Sequence, residues 1–82
     1  MDEEKGFFNL DIWKQIGAEY TNAVEKHGPK FSTPQVAVHV LFAEVMRAAE
    51  AAAKGNINGP NGFYKKIAQA ASTCIKALES LK

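Results

Sequence analysis

The sequence predicts an all-α protein, a small antiparallel bundle of three main helices completed by homo-oligomerisation. Three observations carry this. Apolar residues recur at helical spacing, start and stop residues bound three long segments, and no segment alternates as a strand does. With 82 residues the chain is a single domain. A chain this short buries roughly 60% of its unfolded surface, so its own core is marginal. Staples are not to be expected, because Cys74 is the single cysteine and no Cys/His cluster has zinc spacing. Association is the remaining route to stability, and a homodimer or tetramer is expected.

Residues 1–9 form a polar N-terminal arm containing Gly6, with Phe7 and Phe8 expected to be pinned onto the body. The single helical domain spans 10–82. The first helix is expected from Leu10, capped by Asn9. Ile12, Trp13, Ile16, Tyr20, Val24 and His27 mark its apolar face, and Gly28-Pro29 stops it. The second helix starts at Thr33-Pro34, a cap followed by a proline where its missing N–H costs nothing. It is alanine-rich and apolar over more than half its circumference, which predicts the central, most buried helix. Gly55 ends it.

The stretch Asn56-Ile57-Asn58-Gly59-Pro60-Asn61-Gly62 is dense in turn formers and reads as a loop. It lacks the Lys-Ser/Thr ending and the preceding strand of a phosphate-binding loop. The third helix runs from about Phe63 to Leu81. Phe63, Ile67, Ala70, Cys74, Ala77 and Leu81 predict its packing seam.

Ten basic residues face nine acidic ones, a formal net charge of +1, which argues against a nucleic-acid partner. The acidic Asp2-Glu3-Glu4 start and the lack of an apolar run of about 18 residues argue against a secretory signal or a membrane span. A lone cysteine fits a reducing, cytoplasmic setting.

Arg47 is the only arginine, one helical turn from Glu44 in the apolar segment from Val40 to Ala49. A fixed, forked cation there marks either a structural ion pair or a site. His27 reads as a cap on the first helix's dipole. For His39 a satisfied core or interface histidine is the default, and for Cys74 a small core residue. Trp13 and Tyr20 read as core packing. Glu19 and Glu25 lie too far apart to share a site on one turn. The lysines of the third helix, Lys65, Lys66 and Lys76, read by default as a solvated face.

Laid out by their punctuation, the helices give Glu25-Lys26-His27-Gly28, then V-L-x-x-E-V-x-x-A over Val40 to Ala48, then a loop and a helix ending A-L-E-S-L. This layout resembles the MazG-like branch of the all-α nucleoside triphosphate pyrophosphohydrolases over Asp11 to Leu81. The resemblance implies an E-E-x-x-E motif on one helix and E-x-x-D on the next, whose carboxylates hold Mg²⁺ against a triphosphate. Residues three and four apart share a helix face, so two such helices can aim several carboxylates at one ion.

In this chain the first motif falls on Ala43, Glu44 and Arg47, and the second on Lys66 and Gln69. Only Glu44 is kept as an acid. One carboxylate beside two cations repels Mg²⁺, so the resemblance implies a degenerate, non-catalytic member with no catalytic residue and no cofactor. Glu44, Arg47, Lys66 and Gln69 then form either a structural ion cluster or a binding site for a small anion, a nucleotide or phosphate. Two alternatives stand beside this. One is a divergent pyrophosphohydrolase using Mg²⁺ on Glu44, Glu50 and acids from a second subunit. The other is a small interaction or inhibitor protein of a mobile element, acting on a protein partner.

Overall fold

A computed structural model of the chain describes residues 9–81, and side chains for 9–80. The expected contacts of Phe7 and Phe8 lie outside these residues. The described part is all-helical, with α1 at Leu10–His27, α2 at Pro34–Ala53 and α3 at Phe63–Leu81, and no strand among the described residues. No helix among them is long and apolar enough to cross a membrane.

The helix ends follow local chemistry. The Asn9 side chain accepts hydrogen bonds from the amides of Asp11 and Ile12, and the Thr33 hydroxyl accepts one from the Val36 amide. Gly28, at φ 84°, ends α1. Gly55, at φ 73°, closes α2 with a paired 6→1 and 5→2 arrangement. The Asn56 amide reaches the Ala51 carbonyl and the Gly55 amide that of Ala52. Pro34 occupies the first turn of α2, as its position after Thr33 predicts.

The 56–62 loop folds back on itself. The Phe63 amide donates to the Asn56 carbonyl at 2.9 Å, and the Asn56 side-chain amide donates to the Asn61 carbonyl. Gly62 is buried at its end, and a Cβ there would lie 2.5 Å from the Asn58 carbonyl oxygen and 2.6 Å from that of Ile57. Both are backbone atoms, so neither can rotate away. Gly62→Ala is therefore expected to destabilise the fold by about 1–3 kcal/mol, the usual cost of overpacking. Urea unfolding of the two proteins measures it, and equal midpoints would contradict this account of the loop.

The central helix is α3, not α2 as the apolar circumference of α2 predicts. α3 packs against both other helices, whereas α1 and α2 make no close approach to each other among the described residues. Hydrophobicity misleads because much of it faces outward. Among the described residues the buried apolar ones are all alanines (Ala37, Ala48, Ala51, Ala68 and Ala70), and no large side chain is fully buried. On α2, Val38, Phe42, Val45 and Met46 are exposed, Phe42 to 63%.

The predicted α3 seam holds only in part. Ala70 is buried and Phe63 and Ala77 are half-buried, but Ile67 and Cys74 are exposed, and the other buried positions are Ala68, Ser72, Thr73 and Lys76. At 3.6 residues per turn, the stripe Tyr64, Ile67, Ala71, Cys74 and Leu78 lies about 180° around α3 from Gln69, Ser72, Thr73 and Lys76. The helix is inverted. Its polar side forms the floor of a trough between α1 and α2, and its apolar side is turned out, with Leu78 68% exposed.

Candidate functional site

Because α1 and α2 stand apart across α3, three helices line the trough without closing it. α2 supplies Glu44 and Arg47, one turn apart. α1 supplies Glu19, Ala23 and His27, and α3 supplies Lys65, Gln69 and Thr73. Glu44 and Arg47 line both of its cavities, one of about 580 Å³ on the Phe31 side and one of about 380 Å³ on the Glu19 side. Arg47 also borders a third, of about 280 Å³, with Lys66 and Glu50.

Among the described residues the most buried carboxylate is Glu19, at 6% exposure. It pairs with the Lys65 ammonium at 2.6 Å and accepts a longer hydrogen bond, 3.4 Å, from the Gln69 side-chain amide. Glu44 is half-buried and accepts a hydrogen bond from the Thr73 hydroxyl at 2.6 Å. Burial pushes the Glu44 carboxyl above the usual carboxylate range, and the charge of Glu19 adds to this. The Thr73 hydrogen bond and the fields of Arg47 and Lys66 pull the other way without cancelling it.

The four residues picked out by sequence are thus brought to one region in unequal ways. Glu44, Arg47 and Gln69 border the same 380 Å³ cavity. Lys66 acts on Glu44 through its field but lies along the neighbouring cavity. Arg47 is exposed, and neither it nor Lys66 comes within ion-pairing distance of Glu44. The ion pair that does form, Glu19 with Lys65, was not singled out. No periodicity links a residue of α1 to one of α3. Lys65 reads as a solvated lysine until α1 is laid against it.

Other expectations change with the geometry. Cys74 is exposed rather than a core residue, because it sits on the outward apolar stripe of α3. His39 is exposed, near the start of α2, and so is not a core histidine. Lys76 belongs to the buried side of α3 and not to a solvated face. Tyr20 is half-buried and donates a hydrogen bond to the Glu79 carboxylate, which joins α1 to the end of α3 and holds the phenol above its usual pKa. His27 stands with Lys26 in the last turn of α1, where a cation suits the helix dipole.

The donor set does not suit a divalent cation. Mg²⁺ needs several oxygen ligands in near-octahedral order. Of the two acids in the trough, Glu19 is occupied by an ammonium and Glu44 by a hydroxyl. Among the described residues, no group of three or more His, Cys, Asp or Glu side chains is placed to hold a metal.

The raised Glu44 carboxyl has a testable consequence. A carboxyl whose folded pKa exceeds its unfolded value favours the native state while protonated. That contribution is fully present below the unfolded pKa and is lost as pH rises through the folded one. Glu44→Gln keeps an acceptor for Thr73 and never ionises. Its melting temperature is expected to exceed that of the parent at pH 7, with the gap closing below about pH 4. A Gln variant less stable than the parent at pH 7 would show that Arg47 and Lys66 outweigh burial.

Compared with protein-family models, curated proteins and solved structures, the chain matches none.

Proposed function

We propose that this chain is a MazG-like helical protein with a degenerate metal site, non-catalytic, that binds a small anionic ligand such as a nucleotide or phosphate as a homodimer or tetramer. The observation that carries the reading is the charge around Glu44. The positions that the family resemblance would give to acids hold Ala43, Arg47, Lys66 and Gln69, and a second acid, Glu19, is neutralised by Lys65. Arg47 and Lys66 border one cavity, and Arg47 offers a fork that matches carboxylate or phosphate oxygens. Nothing there asks for a metal between protein and anion.

Self-association follows from the inverted burial. A protomer whose buried apolar residues are all alanines, and which turns Phe42, Ile67 and Leu78 outward, gains most by covering those side chains with a second copy. The free, exposed Cys74 on the same stripe fits a reducing, cytoplasmic setting.

Thermal melts in EDTA test the binding. Pyrophosphate or a nucleoside triphosphate is expected to raise the melting temperature of the parent, and Arg47→Ala with Lys66→Ala to abolish the shift. A ligand at 100 times its dissociation constant adds roughly 2.7 kcal/mol, well within reach of a melt. A shift that the double variant retains would place the anion elsewhere.

A further inference from the structure

Lys76 is the buried charge for which the site described so far has no use. It is 4% exposed on the inward side of α3. Among the described residues it has no carboxylate and no hydrogen-bond partner. Its ammonium rests 4.4 Å from the centroid of the Phe31 ring. No buried side-chain nitrogen or oxygen among the described residues lacks a hydrogen-bond partner, so the Lys76 ammonium, at the end of a buried stem, is turned to the open cavity.

Lys76 and Phe31 both line the 580 Å³ cavity, the volume of an ordinary small-molecule pocket. The same cavity is bordered by three cations (Lys30, Arg47 and Lys76) against the single carboxylate of Glu44, itself engaged by Thr73. The rest of its wall sets the apolar Phe31, Val36 and Val40 beside His27, Ser32 and His39. A cation held beside the apolar part of such a chamber, with no counter-ion among the described residues, is arranged to receive one from outside.

We propose that the Phe31–Lys76 cavity binds a small amphipathic organic anion, its phosphate or carboxylate head on Lys76 and its apolar body against Phe31, Val36 and Val40. The proposal rests on the reading of Arg47 as part of an anion site, but moves the site from the Arg47–Lys66 cavity to the one that Arg47 shares with Lys76, and adds a requirement for an apolar body. Lys66 does not border this cavity, so the two lysines separate the two ideas.

Phenyl phosphate and inorganic phosphate serve as probes on the full chain, by titration calorimetry in EDTA. Phenyl phosphate is expected to bind at least about tenfold more tightly than inorganic phosphate, a difference worth about 1.4 kcal/mol. Lys76→Met is expected to lose phenyl phosphate binding at least tenfold, and Lys14→Ala, which lines neither this cavity nor that of Arg47 and Lys66, to leave it unchanged. Lys76→Met fills the same buried space without charge and should melt no lower than the parent. Should it fail to fold, Phe31→Leu decides. It is expected to bind inorganic phosphate as the parent does and to lose the preference for the phenyl ester.

No binding of phenyl phosphate, binding retained by Lys76→Met, or a preference unchanged in Phe31→Leu would each overturn the proposal. Binding lost in Lys66→Ala but kept in Lys76→Met would also overturn it, while leaving the Arg47–Lys66 anion site standing.

Discussion

Replacing Lys65 by methionine is expected to destabilise the protein by about 3 kcal/mol, the low end of the cost of breaking a buried ion pair. The reason lies with the partner that remains. Glu19 is 6% exposed, and its close polar contacts are the Lys65 ammonium and the more distant Gln69 amide. Without Lys65, a buried carboxylate keeps one long hydrogen bond and no countercharge. Lys65 itself is partly exposed, which softens the loss and sets the estimate at the lower end.

Glu19→Gln with Lys65→Met should recover much of the stability, because the pair's net contribution is small even where each half is costly to remove. Chemical denaturation of the single and double variants measures both. Lys66→Met is the control. Among the described residues Lys66 has no ion-pair partner, and its loss should cost less than about 1 kcal/mol. Equal effects of Lys65→Met and Lys66→Met would show that the Glu19–Lys65 pair contributes no more than Lys66 does.

A comparable effect is expected from Ile67→Glu with Leu78→Glu. Both side chains lie on the outward stripe of α3, Leu78 at 68% exposure. Burying one such side chain contributes roughly 1.5–3 kcal/mol, and a two-fold interface registers every change twice. Two substitutions per chain should therefore raise the dimer dissociation constant by more than about a hundredfold. Sedimentation equilibrium of the parent should show a dimer or tetramer, and the variant should shift to monomer with a lower melting temperature. A monomeric parent, stable and unaffected by the pair of glutamates, would refute self-association through this face.

Much of the backbone was legible in the sequence because it is fixed locally. Asn9, Gly28, Thr33-Pro34 and Gly55 each act on the residues beside them, and each bounds a helix where expected. Burial was not legible. The rule that apolar residues point inward placed Ile67 and Cys74 in the core and α2 at the centre. It fails for a chain that leaves Phe42, Ile67 and Leu78 outside and hides a row of Ser72, Thr73 and Lys76.

The candidate site divides the same way. Glu44 and Arg47 stood out because charges in an apolar run are conspicuous. Glu19, Lys65 and Lys76 did not, because each is ordinary on its own helix. Their roles come from what faces them across α3, and only tertiary packing supplies that.

The measurement that bears most directly on the central claim is calorimetric titration of a nucleoside triphosphate, in EDTA and again with Mn²⁺, with the products assayed. A site built on Arg47 and Lys66 beside neutralised acids predicts binding in EDTA, little gain from the metal beyond its own affinity for the nucleotide, and recovery of intact triphosphate. Binding that appears only with Mn²⁺, accompanied by release of nucleoside monophosphate and pyrophosphate, would contradict the account and make the chain a metal-dependent pyrophosphohydrolase.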